Sequence, residues 1–508
     1  MDVQAAKELT NTAFVPTASL AGRWLELCSR YLPVNPQNSF WRFSRQSRSS
    51  DPEQGWKLHV SGTVLTACDT LERVGPLLNR LDVQFKAPAL LANVGRINAG
   101  IHESYSQIGK LVTAYPRNNE EAVSVARELY RLTCDLRAPA IPFEERFGPA
   151  GCVYYRYGAF RRLNDEKIFI DNPASLLRHP QGYLVPDDRF SVDPPSWVTS
   201  PFPKQANPTT ETNKSPLTTT YHVFRALTQR GRGGVYQAVD SSASSPRLCV
   251  VKEGRVLGEQ AWDGRDGRWR VKHEGRVIAS LRKSGVEAPE IYSTFHLDDN
   301  YYLVTEFING ANLMELLLKR RRRLPVVRAL RLAAEIATTV ARIHSAGWVW
   351  RDCKPGNFIV TRDGKLRPVD FEGACRAGKP DRTRWGTPGF VPSDWRPAAK
   401  SREFEDLYAI GASLYLLLTG RLPAPEAIPI QRLRPNVPEE VCRLAAKLLS
   451  NKRQKLSAAS VAKTLLRTAR DHHIANQMVA SPEDLRNGRG RQTLGQIAGG
   501  RKRVQHGS

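Results

Sequence analysis

The chain has no CxxC pair and no cysteine/histidine spacing suited to zinc; its eight cysteines are scattered through 508 residues. That excludes a disulfide framework and a zinc ribbon and leaves reduced thiols. The opening "MDVQAAKELTNTAF" lacks the basic start and apolar core of a secretory signal. The most apolar run, "LYAIGASLYLLLTG" after Asp406, is too short to cross a bilayer. A soluble, cytoplasmic protein without a membrane partner is expected. Acidic residues are scarce, 50 Asp+Glu against 75 Lys+Arg, so a formal charge of +25 draws the surface toward something anionic. Internal repeats are also absent. Hydrophobic content of 41% and charged content of 25% are those of an ordinary globular protein, and the length calls for about two domains.

From Trp41 to about Phe190, short β-type runs ("KLHVSGTVL", "VQFKAP", "CVYYRYGAF") alternate with helical text such as "NEEAVSVARELYRLTC". This reads as an α+β domain over residues 1–192, including an N-terminal lead-in. Residues 193–220, rich in Pro, Thr and Ser, read as a linker. Residues 221–480 form a second domain, strand-like to about Phe307 and helical from Leu313. Residues 481–508 are Gly- and Arg-rich and read as a flexible basic tail.

The strongest motif is "WVWRDCKPGNFIV" followed by "PVDFEG". Asp352, Asn357 and Asp370 stand in the order and spacing of the protein-kinase catalytic loop and metal motif, and the stretch from Tyr221 to Arg470 resembles that family. The resemblance implies a bilobal fold. Asp352 would take the proton of an attacking hydroxyl, Lys354 would add positive charge at the transferred phosphate, and Asn357 and Asp370 would hold Mg²⁺ against ATP or GTP. Lys252, ending the strand "LCVVK", and Glu274, in a helix, supply the pair that positions nucleotide phosphates. Glu306 to Ile308 would meet adenine through the backbone, and Asp406 would brace the catalytic loop. Four departures stand out. With Gly233 as the third glycine of the Gly-rich loop, Thr228 and Arg230 occupy the first two positions. Trp350 replaces the usual His, "DFE" replaces "DFG", and "VPS" stands where "APE" is usual. A catalytically dead relative is the competing reading, but Lys252, Glu274, Asp352, Asn357 and Asp370 are all retained.

In the first half, "GWKLHVSG" reads as a strand that sends Lys57 and His59 to one face. With "VQFKAP", "SYSQIGKLVTAYP" and "VYYRYGAF" ahead of a kinase opening, the chain resembles class III lanthipeptide synthetases, whose N-terminal domain is similar to phosphothreonine lyases. The resemblance implies phosphorylation of Ser/Thr in a precursor peptide, then β-elimination to dehydroalanine or dehydrobutyrine. It makes Lys86 the base that removes the α-proton and His59 the acid at the departing phosphate. Lys57 would stabilise the developing enolate or the phosphate, and Lys110, Arg146 and Arg156 would clamp the phosphate. A leader-bearing precursor peptide is the implied partner. The chain ends soon after the kinase domain, as in synthetases of lipolanthine pathways, so a separate cysteine decarboxylase or cyclase is expected to close the ring. A regulatory Ser/Thr kinase whose N-terminal domain only binds phosphopeptides is the alternative. A nucleic-acid scaffold, suggested by the charge and by "KRRRRL" (Lys319 to Leu324), lacks any supporting signature, so no nucleic-acid partner is expected.

Overall fold

The computed structural model describes residues 18–36, 39–100, 105–161, 175–203, 215–320, 322–379, 381, 385–392, 402–423, 427–450 and 456–479. The N-terminal lead-in before Ala18, residues 204–214 of the expected linker, Arg321 of the basic cluster, Ser393 of "VPS" and the tail 481–508 lie outside these residues.

The architecture is α+β. In the first domain, helix α1 (Ala18–Tyr31) leads to strands β1 (Trp41–Phe43) and β2 (Gln54–Ser61), helix α2 (Ala67–Arg80), β3 (Gln84–Pro88) and α3 (Leu91–Ala99). Strand β4 (Lys110–Tyr115), α4 (Asn119–Thr133), β5 (Glu145–Arg146) and β6 (Val153–Ala159) follow. The strands form one antiparallel sheet in the order β1-β3-β4-β2-β6-β5. Helix α4 starts where Asn118 accepts a hydrogen bond from the Glu121 backbone N–H, with Glu120 and Glu121 in its positive first turn. Its Ala122, Val125, Ala126 and Leu129 share one face and join Leu71, Val74 and Leu78 of α2 in the core.

Side-chain alternation divides this sheet chemically. Leu58, Ala114 and Phe85 pair in one transverse row and lie in that core. The next row, on the opposite face, runs Lys86, Thr113, His59, Tyr154 and Arg146. A one-residue slip would send the whole polar set into the core, so the pattern fixes the register. Beyond a short ribbon of β7 (Leu176–Arg178) and β8 (Leu184–Pro186), Phe202 stacks on Tyr155 with ring centroids 3.9 Å apart and is buried in the core. The expected linker thus contributes a core side chain to the first domain: its Pro- and Ser-rich composition describes an irregular backbone, not a detached one.

The second domain opens with a five-stranded antiparallel sheet, β9 (Tyr221–Arg230), β10 (Gly233–Asp240), β11 (Arg247–Gly254), β12 (Ile291–Leu297) and β13 (Asn300–Glu306), in the order β12-β13-β11-β10-β9. Helix α5 (Gly267–Lys283), capped by the Asp266 carboxylate on the Trp269 N–H, packs on it. The helical lobe is built on α6 (Val326–Ser345) and α7 (Phe404–Thr419). The apolar run after Asp406 is α7, buried along almost its whole length, and no helix among the described residues is long and apolar enough to cross a membrane. The two domains touch where the β9–β10 hairpin meets the end of α3: the Gly231 N–H donates to the Ala99 carbonyl at 3.1 Å.

Candidate functional site

The first site is the cleft between the β-sheet and helices of the second domain, a cavity of about 470 Å³. Its floor and roof are apolar (Leu227, Val235, Val250, Ile359, Val369), and Glu306, Phe307 and Ile308 line the crossing between lobes. Lys252 Nζ reaches both oxygens of Glu274, at 2.7 and 2.8 Å, and lies 3.7 Å from Asp370 Oδ1. Burial alone would lower the Lys252 pKa, but the two carboxylates reverse the sign and hold it charged. Burial likewise pushes Asp370 up, and Lys252, Arg232 and Lys354 outweigh it, keeping the carboxylate ionised.

The catalytic loop is tied down from three sides. Asp406, fully buried, accepts from the backbone N–H groups of Trp350 and Arg351 at 2.8 and 2.7 Å. Arg351 (φ +69°) and Asp370 (φ +66°) both hold left-handed backbone, which costs a non-glycine residue about 1–3 kcal/mol and persists only where surroundings enforce it. Trp350, in place of the usual His, keeps a ring N–H in position: its Nε1 donates to the Asp370 carbonyl at 2.8 Å while the indole stacks on Phe371. Around Asp352, Lys354 Nζ donates to Oδ2 at 2.8 Å, Thr387 donates to Oδ1 at 2.8 Å, and Asn357 Nδ2 donates to the carbonyl and Oδ2 at 2.8 and 3.0 Å. Asn357 is thereby oriented with its amide nitrogen engaged, leaving Oδ1 as the atom to face a cation. One carboxylate and one amide oxygen suit Mg²⁺, which takes few protein ligands and completes its shell with phosphate and water.

Asp381 belongs to no motif of the sequence. It joins Arg351 Nη1 at 2.8 Å to Arg265 Nη2 at 2.9 Å, linking the segment after "DFE" to the catalytic loop and to the lead-in of α5. Gly233, at φ +140°, opens β10 where a Cβ would come within 1.9 Å of the Glu253 carbonyl, so only glycine fits.

The second site is the polar face of the six-stranded sheet. His59 Nδ1 lies 2.7 Å from Glu144 Oε2, Lys110 Nζ lies 2.7 Å from Glu144 Oε1, and Arg156 Nε approaches that oxygen to 3.9 Å. Arg156 also forks onto Asp187, at 2.7 and 3.1 Å. Lys57 pairs with Arg156 across β2 and β6, and Lys86 Nζ stands 4.3 Å from the Trp41 ring centroid. His59, Lys110 and Arg156 are buried, whereas Lys57 and Lys86 remain partly exposed. Five cations, Lys57, Lys86, Lys110, Arg156 and Arg189, converge on two carboxylates, Glu144 and Asp187, and the excess charge suits a phosphate dianion.

Protonation follows from this packing. Burial, with neighbouring Lys110 and Lys57, holds His59 at about 4 despite Glu144. Burial alone would raise Glu144, but His59 and Lys110 outweigh it and hold it at about 2. With Glu144 ionised and His59 neutral, the shared proton belongs on Nδ1 and Nε2 is bare. His59 can act as an acid only after gaining a proton, which an arriving dianion favours. Lys57 is held well below the ordinary lysine range by burial and by Arg156, Lys86 and Arg189, against the pull of Asp187.

Arg146 is the exception among the expected phosphate ligands. It is exposed on edge strand β5 and lines a different cleft, of about 660 Å³, with Tyr154, Arg255 and Asp298. The side chain from "PFEERFG" that enters the buried cluster is Glu144, because it sits in the covering loop before β5 begins. Glu144 stands in a loop and Asp187 and Arg189 lie near the end of the domain, where no periodic pattern marks them.

The protein kinase domain family matches residues 221–477, just over half of the chain, and the family described as RamC, N-terminal domain matches residues 34–214. The Probable SapB synthase of Streptomyces coelicolor is 30% identical over 400 residues, covering 75% of this chain and 42% of that protein. Serine/threonine-protein kinase PknA of Nostoc is 30% identical over 214 residues, covering 40% of this chain and 37% of that kinase. Serine/threonine-protein kinase D of Synechocystis is 29% identical over 217 residues, covering 40% and 41%. The chain thus spans about two fifths of the length of each of these relatives. It belongs to the protein kinase family and carries a RamC-type N-terminal domain ahead of its kinase domain.

Proposed function

We propose that the chain is a bifunctional dehydratase of lanthipeptide type: its second domain phosphorylates Ser/Thr of a precursor peptide with ATP or GTP, and its first domain eliminates that phosphate. The observation that carries this reading is the pairing, in one chain, of a kinase cleft that holds the Lys252–Glu274 pair beside Asp370 with a polar sheet face whose buried lysine, histidine and arginine suit a phosphate dianion. The relationship to a protein named Probable SapB synthase fits a biosynthetic role for the chain.

In the first step, the substrate hydroxyl oxygen forms a bond to the γ-phosphorus, the bond to the nucleoside diphosphate oxygen breaks, and the hydroxyl proton goes to Asp352. Lys354 and Thr387, both on Asp352, orient it and place positive charge beside the transferred group. Mg²⁺, held by Asn357 and Asp370, would supply charge neutralisation at the nucleotide phosphates. In the second step, Lys86 takes the Cα proton, that electron pair forms the Cα=Cβ bond, and the Cβ–O bond breaks with its electrons leaving on phosphate. Lys57 faces the carbonyl charge, Lys110 and Arg156 hold the dianion, and His59 gives the leaving oxygen the proton it acquires on binding. The lowered pKa of Lys57 favours a second assignment, with Lys57 as the base and Lys86 as the electrostatic partner.

The deciding experiment is intact-mass spectrometry of a Ser-containing precursor incubated with the protein, Mg²⁺ and nucleotide. Losses of about 18 Da per modified residue are expected from phosphorylation followed by elimination. Stable gains of about 80 Da would reduce the chain to a kinase with a phosphopeptide-binding domain.

Asp381 holds Arg351 and Arg265 as a phosphorylated residue does in kinases switched by phosphorylation. Asp381→Asn is expected to lower the phosphorylation kcat about tenfold, from the loss of charge-assisted bonds worth about 1.5–3 kcal/mol, with the nucleotide KM little changed. Initial-rate kinetics checks this.

A further inference from the structure

The hairpin that takes the place of the Gly-rich loop has only Gly231 and Arg232 between β9 and β10. Kinase loops of this kind hold nucleotide phosphates on backbone N–H groups. Here two of those groups are committed elsewhere: Gly231 N–H donates to the Ala99 carbonyl at 3.1 Å, and Gly234 N–H donates to Glu253 Oε2 at 3.1 Å. Fewer backbone donors are thus left in the hairpin for the phosphates of a nucleotide.

Three arginines stand in the cleft beside Lys252 and Asp370. Arg230 ends β9. Arg232, at the hairpin tip, places Nη1 2.6 Å from Glu372, the residue that replaces the glycine of "DFG". Arg270, in the first turn of α5, is 2% exposed, and its Nε and Nη2 have no hydrogen-bond partner. Its guanidinium is held over the Trp385 ring at 4.8 Å. A buried guanidinium with two empty donors is costly, and its position in the cleft next to two further arginines identifies an anion as the missing partner.

We propose that Arg230, Arg232 and Arg270 form the polyphosphate subsite of the nucleotide cleft, replacing the backbone cradle of the Gly-rich loop, with the Glu372 carboxylate occupying Arg232 until nucleotide displaces it. This rests on the kinase reading of the cleft. Guanidinium forks match phosphate oxygens two at a time. Arg270 supplies a fixed pair of donors from a helix, and Arg232 a movable one from the hairpin. Because Glu372 and a phosphate compete for the same guanidinium, removing the Glu372 charge favours the nucleotide.

The test is titration calorimetry of the full chain with adenosine, and with ADP and ATP in Mg²⁺. Arg232→Gln and Arg270→Gln are each expected to weaken ATP about tenfold or more, the worth of one charge-assisted bond, with adenosine unchanged. Arg230→Gln, on the half-exposed hairpin, gives the same selective loss where the buried Arg270 variant is difficult to fold. Glu372→Gln is expected to tighten ATP and leave adenosine alone. An ATP-to-adenosine affinity ratio unchanged in the arginine variants would overturn the subsite, and ATP affinity lost in Glu372→Gln would overturn the surrogate role of that carboxylate. Failure of the wild-type chain to bind either adenosine or ATP would instead overturn the kinase reading on which the subsite rests.

Discussion

Lys86→Ala is expected to leave phosphorylation intact and to slow elimination about 10²- to 10⁴-fold, the usual worth of a positioned base, so that phosphorylated precursor accumulates. Asp352→Asn is expected to give the complementary result. Phosphorylation falls by a similar factor, because its carboxylate is the group on which Lys354, Thr387 and Asn357 converge. The same variant should still eliminate phosphate from a synthetic phosphopeptide, since the polar sheet face shares none of these residues. Mass spectrometry separates the two variants in one assay, and identical unphosphorylated peptide from both would refute the division of labour. A small primary amine tells which lysine is the base. It should restore elimination to Lys86→Ala and not to Lys57→Ala, because an added amine can replace a proton acceptor more readily than a fixed charge. Rescue of Lys57→Ala alone would exchange the two roles.

Legibility from sequence differed between the two sites for a physical reason. The kinase residues lie in short contiguous motifs, "RDCKPGN" and "DFEG", because one loop carries both Asp352 and Asn357 and its own hydrogen bonds fix their spacing. On the sheet face, adjacency is lateral. Lys86, Thr113 and His59 meet through strand register, at separations the chain order does not encode, although the two-residue spacing of Lys57 and His59 does place them on one face. The side chains that cover this face come from loops without periodicity, so nothing in "PFEERFG" marks Glu144, rather than Arg146 two residues later, as the one that turns inward. The hairpin shows a third case. The sequence shows the missing glycines, but the docking of Gly231 onto Ala99, which commits that N–H group, depends on an interdomain contact that no local pattern announces.

Glu144 is the residue whose loss should cost the first domain most. Its carboxylate, with no exposed side-chain surface, is the shared partner of His59 and Lys110 and lies near Arg156. In Glu144→Ala the ammonium of Lys110 stays buried with its partner gone, and breaking such a pair from one side costs about 3–5 kcal/mol. The thermal unfolding of the domain should drop accordingly, and elimination should be lost while Asp352-dependent phosphorylation persists. Stability of the wild-type domain should also fall on acidification, in two overlapping windows. His59 has a folded pKa of about 4 against an ordinary 6.5, so below 6.5 the unfolded chain binds a proton that the folded one refuses. Glu144 contributes stability above its ordinary 4.5 that is lost as pH falls toward about 2. Glu144→Ala removes the second window. It keeps the first and deepens it, since the carboxylate is the group that favours protonated His59. Melting the two proteins across this pH range tests the arrangement: a variant as stable as wild type at neutral pH, or one whose midpoint is insensitive to pH between 6.5 and 4, would show that Glu144 does not hold the cluster together.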